Sequence, residues 1–278
     1  QPVRKIGVVM AGNIPLAGFH DFLSVIISGH EIMAKLSSKD TVLPTYVSEK
    51  LIEAEPRLQS HITLAARLKG FDAVIATGSD NSSRYFQYYF GKYPHIIRKN
   101  RTSCAVLDGT ETEAELRLLG RDVFTYFGLG CRNVSKIFIP RDFDPVRLVN
   151  AWDIYVDIIH HHKYHNNYDY QKSILLVNKI PFYDSGFVIL HENDKLVSPI
   201  SVVYLERYET PEGLNARLGA VSDKIQCIVG KTQPGHIPFG QAQEPELWDY
   251  ADRVDTLRFL EQIWEFMPTY IYYPELSE

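Results

Sequence analysis

The chain has 278 residues, 45% of them hydrophobic and 23% charged, which is enough apolar material for the core of one large or two modest domains and excludes a disordered or fibrous protein. Its 29 Lys and Arg against 34 Asp and Glu give a net charge of −5 without the dense basic face that a phosphate backbone demands, so no nucleic-acid partner is expected. The three cysteines, Cys104, Cys131 and Cys227, are odd in number and lack CxxC spacing, pointing to neither a disulfide framework nor a zinc ribbon and fitting a reducing cytoplasm, and neither a membrane span nor a signal peptide is read.

Residues 5–10 (KIGVVM) predict a fully buried strand, turned at Gly12-Asn13-Ile14-Pro15 into an apolar helix from Leu16 to about Ser28 that stops at Gly29. Residues 32–36 predict a second strand, followed by a helix start over 37–40 and a helix that crosses Leu51. A further helix is expected to end over 65–69 at Gly70, before a buried strand at 71–77 and a helix opened by Gly78-Ser79-Asp80 that carries Tyr85, Tyr88 and Tyr89. Such alternation predicts a parallel, doubly wound sheet, whose ligands bind at the carboxyl ends of the strands, where Asn13, Lys35 and Thr77 to Ser79 lie.

A second α/β unit begins near Ser103, with a strand at 103–107 and a helix at 110–127. Leu116, Leu119, Val123 and Phe127 share one face of that helix, and Thr110 with Glu113 predicts a capping box. After the loop Gly128-Leu129-Gly130-Cys131 come a strand at 136–140, a helix at 145–159 and a polar, tyrosine-rich segment at 160–170. Short strands at 187–190, 202–206 and 225–229 follow, with a helix over 212–218 between the last two and a Gly/Pro loop at 234–240.

Cys131 stands in a glycine-flanked loop, where small neighbours let a ligand approach the thiol and the N–H groups of Arg132 and Asn133 can donate to an oxyanion. The plain alternative is a small buried hydrophobe, which is how Cys104 and Cys227 read inside their apolar strands. Asn13, at a strand-to-helix turn, is either an amide aimed at developing negative charge or an ordinary turn asparagine. Thr77-Gly78-Ser79 is either a phosphate cradle or a helix cap. His160, His161, His162 and His165 read as a solvated polar face, because adjacent helical residues point in different directions. Gly230-Lys231-Thr232 is not a P-loop, since Ile225 occupies the place of its first glycine, and no GxGxxG occurs. Trp152, Trp248 and Trp264 read as packing residues.

Taken together, Ala11-Gly12-Asn13-Ile14-Pro15, Lys35-Leu36-Ser37-Ser38, Ala76-Thr77-Gly78-Ser79, Gly128-Leu129-Gly130-Cys131 and Pro238-Phe239-Gly240 stand in the order and approximate spacing of the aldehyde dehydrogenase superfamily. The chain resembles in particular the acyl-CoA reductases of the LuxC family, from Lys5 to about Leu260. The resemblance implies an aldehyde dehydrogenase-like α/β fold of two doubly wound, Rossmann-like domains. These are a nicotinamide cofactor domain over 1–102 and a catalytic thiol domain over 103–240, with 241–278 packing back or into an oligomer. The family has further sequence upstream of the first strand, so the chain is expected to be shortened there.

By the same resemblance Cys131 is the nucleophile and Asn13 supplies the oxyanion amide. Lys35 contacts the adenine ribose and Ser79 the pyrophosphate, with Ser37, Ser38, Thr77 and Gly78 in the same cofactor cleft and Phe239 beside Pro238 near the nicotinamide. Two departures matter. Oxidising members carry a Glu-Leu-Gly-Gly glutamate that activates water, whereas the matching stretch here is Ile97-Arg98-Lys99-Asn100, so an acyl-enzyme would persist to accept hydride. Ser38, next to Lys39, stands where many NAD-preferring members have a glutamate, which makes room for a 2′-phosphate. The residue that holds the nicotinamide ribose stays unassigned, with only Glu192 and Asp194 near its place. The implied reaction is acyl-CoA plus NADPH, or NADH, giving aldehyde and CoA in a cytoplasmic enzyme that can be a homo-oligomer. An acyl phosphate substrate, or a catalytically silent binding protein on the same fold, are the alternatives.

Overall fold

The computed structural model describes residues 2–263, which divide into two compact units: residues up to 99 together with those from 254, and residues 100–253. The first unit is a sheet of five strands in the order β3-β2-β1-β4-β5, all parallel. They are β1 (Lys5–Val9), β2 (Glu31–Lys35), β3 (Ile62–Leu64), β4 (Ala73–Thr77) and β5 (His95–Arg98). β1 and β4 are continuous apolar runs because helices cover both faces of the sheet, and Ile6, Val8, Ala73 and Ile75 are wholly buried. The connecting helices are α1 (Phe19–Ile27), α2 (Val42–Ala54) and α3 (Asp80–Phe90). A returning helix, Thr256–Glu261, packs on α1 and lends Leu260 to the core of Phe22, Val25 and Ile32.

The helix expected to end over 65–69 is absent. Pro56 opens a short 3-10 turn after α2, and the buried Ile62 then starts an edge strand, so the positive φ of Gly70 serves a turn into β4 instead of a helix stop. α1 begins at Phe19, because Leu16 is held at φ +56, outside the helical region. Residues 37–40 form a tight turn with Asp40 N donating to Ser37 O (3.1 Å), and α2 starts only after Thr41. β5, with only two apolar residues in four, carried no signal in the sequence.

The second unit is a sheet of six strands in the order β11-β6-β7-β10-β9-β8. Its strands are β6 (Thr102–Val106), β7 (Val134–Pro140), β8 (Tyr183–Asp184), β9 (Ile189–Glu192), β10 (Val202–Tyr208) and β11 (Ile225–Val229), and β8 alone is antiparallel to its neighbour. The helices are α4 (Glu113–Phe124), α5 (Val146–Trp152), α6 (His162–Val177) and α7 (Pro211–Ala220). Leu116, Leu119 and Val123 of α4 meet Leu148, Trp152 and Phe187 in the core. The capping box is formed two residues later than expected, by Thr112 and Glu115, because Thr110 is taken up by Asp108. α4 ends at Phe124, so Phe127 leaves the helical face and its ring stacks on His161 at 4.0 Å between centroids. The helix expected over 145–159 tightens into a 3-10 form from Asp153, and the tyrosine-rich segment is the first half of α6. Trp152 is fully buried with its Nε1 donating to Leu116 O (2.9 Å), whereas Trp248 is 70% exposed; Trp264 lies outside the described residues. Among the described residues no helix is long and apolar enough to cross a membrane.

Candidate active site

In the first unit the chain reverses its direction of travel across the sheet between β1 and β4, since β2 and β3 lie on one side of β1 and β4 and β5 on the other. The carboxyl ends of those two strands therefore splay their following loops apart and leave a crevice, the usual ligand position of a doubly wound sheet. The loop after β1 carries Gly12 and the exposed Asn13; that after β4 carries Gly78 and the exposed Ser79. A Cβ on Gly12 would collide with the side chain of Ser37, so the loops after β1 and β2 touch backbone against side chain there. Asp40 Oδ2 accepts the Leu16 N–H (2.7 Å), tying the same two loops together and holding Leu16 in its left-handed conformation. Lys35, the half-buried last residue of β2, extends the ladder by accepting Met10 N at 3.0 Å; Ser37 is half-buried and Ser38 exposed on the turn beyond it. Ser79 caps α3, its Oγ accepting Ser82 N (3.2 Å), so the positive end of an eleven-residue helix opens at the carboxyl end of β4 beside Thr77.

In the second unit Cys131 is exposed while Cys104 and Cys227 are buried. Gly130 to Asn133 is a turn closed by Asn133 N donating to Gly130 O (3.1 Å). That bond occupies the Asn133 N–H, so this group is not available to an oxyanion, and of the expected pair of donors only the Arg132 N–H remains. Asn133 instead works through its side chain. The amide, 2% exposed, donates to the carbonyls of Asp122 (3.1 Å), Val123 (3.2 Å) and Thr125 (2.7 Å), and its Oδ1 accepts Gly130 N (2.8 Å). It thereby satisfies the end of α4 and fixes the thiol turn in one stroke. Between them Tyr126, Phe127 and Gly128 run at φ +54, +59 and +74, a left-handed stretch that two bulky residues adopt only under such restraint.

Two further buried groups complete the frame. Ser103 of β6 donates its hydroxyl to Cys131 O (3.0 Å) and lies 3.0 Å from Cys227 Sγ on β11. Asp122 of α4 accepts Gly240 N (2.6 Å) and Ala242 N (2.9 Å), which carries the loop after β11 back to α4, and Arg132 Nε donates to Ala242 O. Burial pushes the Asp122 carboxyl up to about 6 against the pull of those two N–H groups. Phe239, beside them, is 7% exposed and its ring belongs to the core of the unit. The Cys131 thiol is raised above its ordinary value, chiefly because surrounding chain desolvates the thiolate, while the Arg132 guanidinium and its own N–H pull it down. Cys104, deep in the sheet, is pushed up to about 12 by burial.

The stretch matched to the hydrolytic Glu-Leu-Gly-Gly has Ile97 in the glutamate's place and a structural cation next to it. Arg98, 2% exposed, forks onto both oxygens of Asp21 (2.8 and 2.9 Å) and donates to Thr256 Oγ1 (2.8 Å), binding the returning helix to α1. His160, His161, His162 and His165 are exposed, and among the described residues no group of His, Cys, Asp or Glu is arranged to hold a metal. Sequence reasoning did not find Asn133's clamp, Ser103, Asp122 or the Arg98 pair; only the Gly-x-x-Asn spacing of 130 and 133 carried a local turn signal.

No family model matches the chain, and no curated protein matches it. Solved structures do. An aldehyde dehydrogenase of Mycobacterium tuberculosis complexed with NAD+ is similar at a TM-score of 0.61 and 16% identity, over 78% of this chain and 55% of that one. A putative aldehyde dehydrogenase from Burkholderia cenocepacia gives 0.62 and 16%, over 79% and 56%. The NAD+ complex of a Bacillus cereus aldehyde dehydrogenase gives 0.59 and 14%, over 78% and 53%. The fold is therefore that of the aldehyde dehydrogenases, and the chain spans little more than half the length of these structures.

Proposed function

We propose that this chain is a nicotinamide-dependent oxidoreductase that reduces an acyl-CoA thioester to an aldehyde through a thioester on Cys131. The observation that carries the reading is an exposed cysteine on a rigidly clamped, glycine-flanked turn in an aldehyde dehydrogenase fold, beside two thiols that are buried. The first unit fits a dinucleotide. Its switch-point crevice, the open start of α3 with Ser79 and Thr77-Gly78, and Lys35, Ser37 and Ser38 at the end of β2 would hold the pyrophosphate and adenine ribose. The neighbours complexed with NAD+ support the same choice, and the exposed Ser38 with Lys39, in place of a carboxylate, favours NADPH.

NADPH, when bound, supplies the hydride that reduces the acyl carbon. Cys131 as thiolate attacks the thioester carbonyl, the C–S bond to CoA breaks, and CoA departs as a thiol after taking a proton; reduction then releases the aldehyde and frees Cys131. The N–H groups of Cys131 and Arg132 are assigned to the developing oxyanion. The raised thiol makes the resting nucleophile protonated, so acylation should accelerate with pH beyond the ordinary cysteine range. With Arg98 locked into an ion pair, no carboxylate stands in that stretch to activate water against the acyl-enzyme.

The test is intact-protein mass spectrometry after incubation with an acyl-CoA, alongside NADPH consumption and CoA release. An adduct confined to Cys131, lost with aldehyde formation in Cys131→Ala and retained in Cys104→Ser and Cys227→Ser, is expected. An adduct on Cys104 or Cys227 overturns the assignment, and NADPH binding without any CoA release would leave a silent binding protein on this fold.

A further inference from the structure

On the far side of the first unit from α1, a cavity of about 730 Å3 lies between α3 and the edge strand β5. Its position follows from the strand's period of two. Ile96 and Arg98 point to the α1 side, into the core and onto Asp21, so His95, Ile97 and Lys99 point to the other face, under α3. The opposing wall is made by Arg84, Gln87 and Tyr88 of α3. Among the described residues none that lines it is acidic.

That charge is a feature of the whole stretch. Residues 81–107 contain no Asp or Glu and five Lys or Arg, in a chain of net charge −5. Arg98 is neutralised by Asp21 and Arg101 by Asp252. Arg84 and Lys99, both exposed, have no ion-pair or hydrogen-bond partner among the described residues. Two cations that face one concavity without a partner among the described residues repel each other and gain from a shared anion. Tyr88, 83% exposed, offers a ring face at the same rim. The edge of β5 adds a backbone donor: Val74 N and Gly78 N bond to the carbonyls of Pro94 and Arg98, so the alternating N–H of Ile97 faces away from β4.

We propose that this groove is a binding site for a phosphorylated purine nucleoside, its phosphates on Arg84 and Lys99 and its base stacked on Tyr88. Two cations call for a phosphate with more than one charge, an exposed aromatic ring for a flat base, and the volume lies within the range of small-molecule sites. The groove shares none of its lining residues with the crevice loops at Gly12-Asn13, Lys35 to Ser38 and Thr77 to Ser79, although Arg84 and Lys99 stand toward the same carboxyl end of the sheet. That the occupant is the 3′-phosphoadenosine part of CoA rests on the reading of Cys131 above; binding of the bare nucleotide does not.

The experiment is isothermal titration of the full chain with adenosine 3′,5′-bisphosphate, with inorganic phosphate, adenosine, CoA and NADPH as comparison ligands. The bisphosphate is expected to bind more tightly than either phosphate or adenosine alone. Arg84→Glu with Lys99→Glu should weaken it at least about tenfold and Tyr88→Ala several-fold, both leaving NADPH affinity within about twofold. CoA following the bisphosphate in these variants identifies CoA as the source; CoA unaffected while the bisphosphate is lost leaves a free nucleotide as the ligand of the same site. Should charge reversal disturb the circular dichroism spectrum, Arg84→Gln with Lys99→Gln takes its place. Bisphosphate affinity unchanged in the variants, or lost together with NADPH affinity in a folded variant, overturns the proposal. Absence of acyl-CoA reduction with bisphosphate binding intact would instead fail the Cys131 reading alone.

Discussion

Asn133→Ala is the sharpest test of how the thiol turn is built. The wild-type amide shares its two hydrogens among the carbonyls of Asp122, Val123 and Thr125 and accepts Gly130 N at 2.8 Å, all at 2% exposure where water cannot substitute. Two donated bonds and one accepted bond, at a net of about 1 kcal/mol each, give about 3 kcal/mol of destabilisation, and the orphaned end of α4 makes this a lower bound. Part of the loss is local. Tyr126 and Phe127 sit in left-handed backbone that costs roughly 1–2 kcal/mol per residue, and once the clamp is gone they can relax and carry Cys131 with them. Urea unfolding followed by circular dichroism should show the loss, and the rate of Cys131 alkylation by iodoacetamide should rise as the turn opens and the thiolate is better solvated. A loss under about 1 kcal/mol with an unchanged alkylation rate would refute the clamp.

Three other perturbations follow from the same frame. Asp122 is held near 6 when folded, above the ordinary carboxylate, so it favours folding most below pH about 4 and that support is lost as pH rises through 6, by up to about 3 kcal/mol; Asp122→Asn should flatten this decline in urea midpoints taken from pH 4 to 7, and an unaltered slope would show that another group sets it. Arg98→Met leaves the Asp21 carboxylate buried and unpaired and should cost about 3–5 kcal/mol, whereas adding Asp21→Leu should recover most of it; a double variant as unstable as the single one contradicts a pairing role. Ser38→Glu should shift kcat/KM from NADPH toward NADH, and a folded variant with the wild-type cofactor ratio would put Ser38 away from the adenine ribose.

The alternation of buried strands and capped helices was legible because β1, β4, β6, β7 and β11 are short, mostly apolar runs, a pattern that local composition alone displays. With it came the parallel α/β class, the crevice loops at Asn13, Lys35 and Ser79, and a cysteine set apart from two core thiols. What local composition could not show was anything fixed by partners distant in the chain. β5 is a strand because β4 pairs with it, α1 starts late because Asp40 captures Leu16 across 24 residues, and Arg98 is a clamp because Asp21 and Thr256 meet it from 77 and 158 residues away. The role of Asn133 turned over for the same reason: its N–H was spent on a local turn, and its side chain found the end of α4 only once the chain had folded back. Hydrophobic period is written residue by residue and survives in the sequence, whereas a buried polar group is defined by which donors and acceptors the packed fold leaves for it, and those are decided by the tertiary structure.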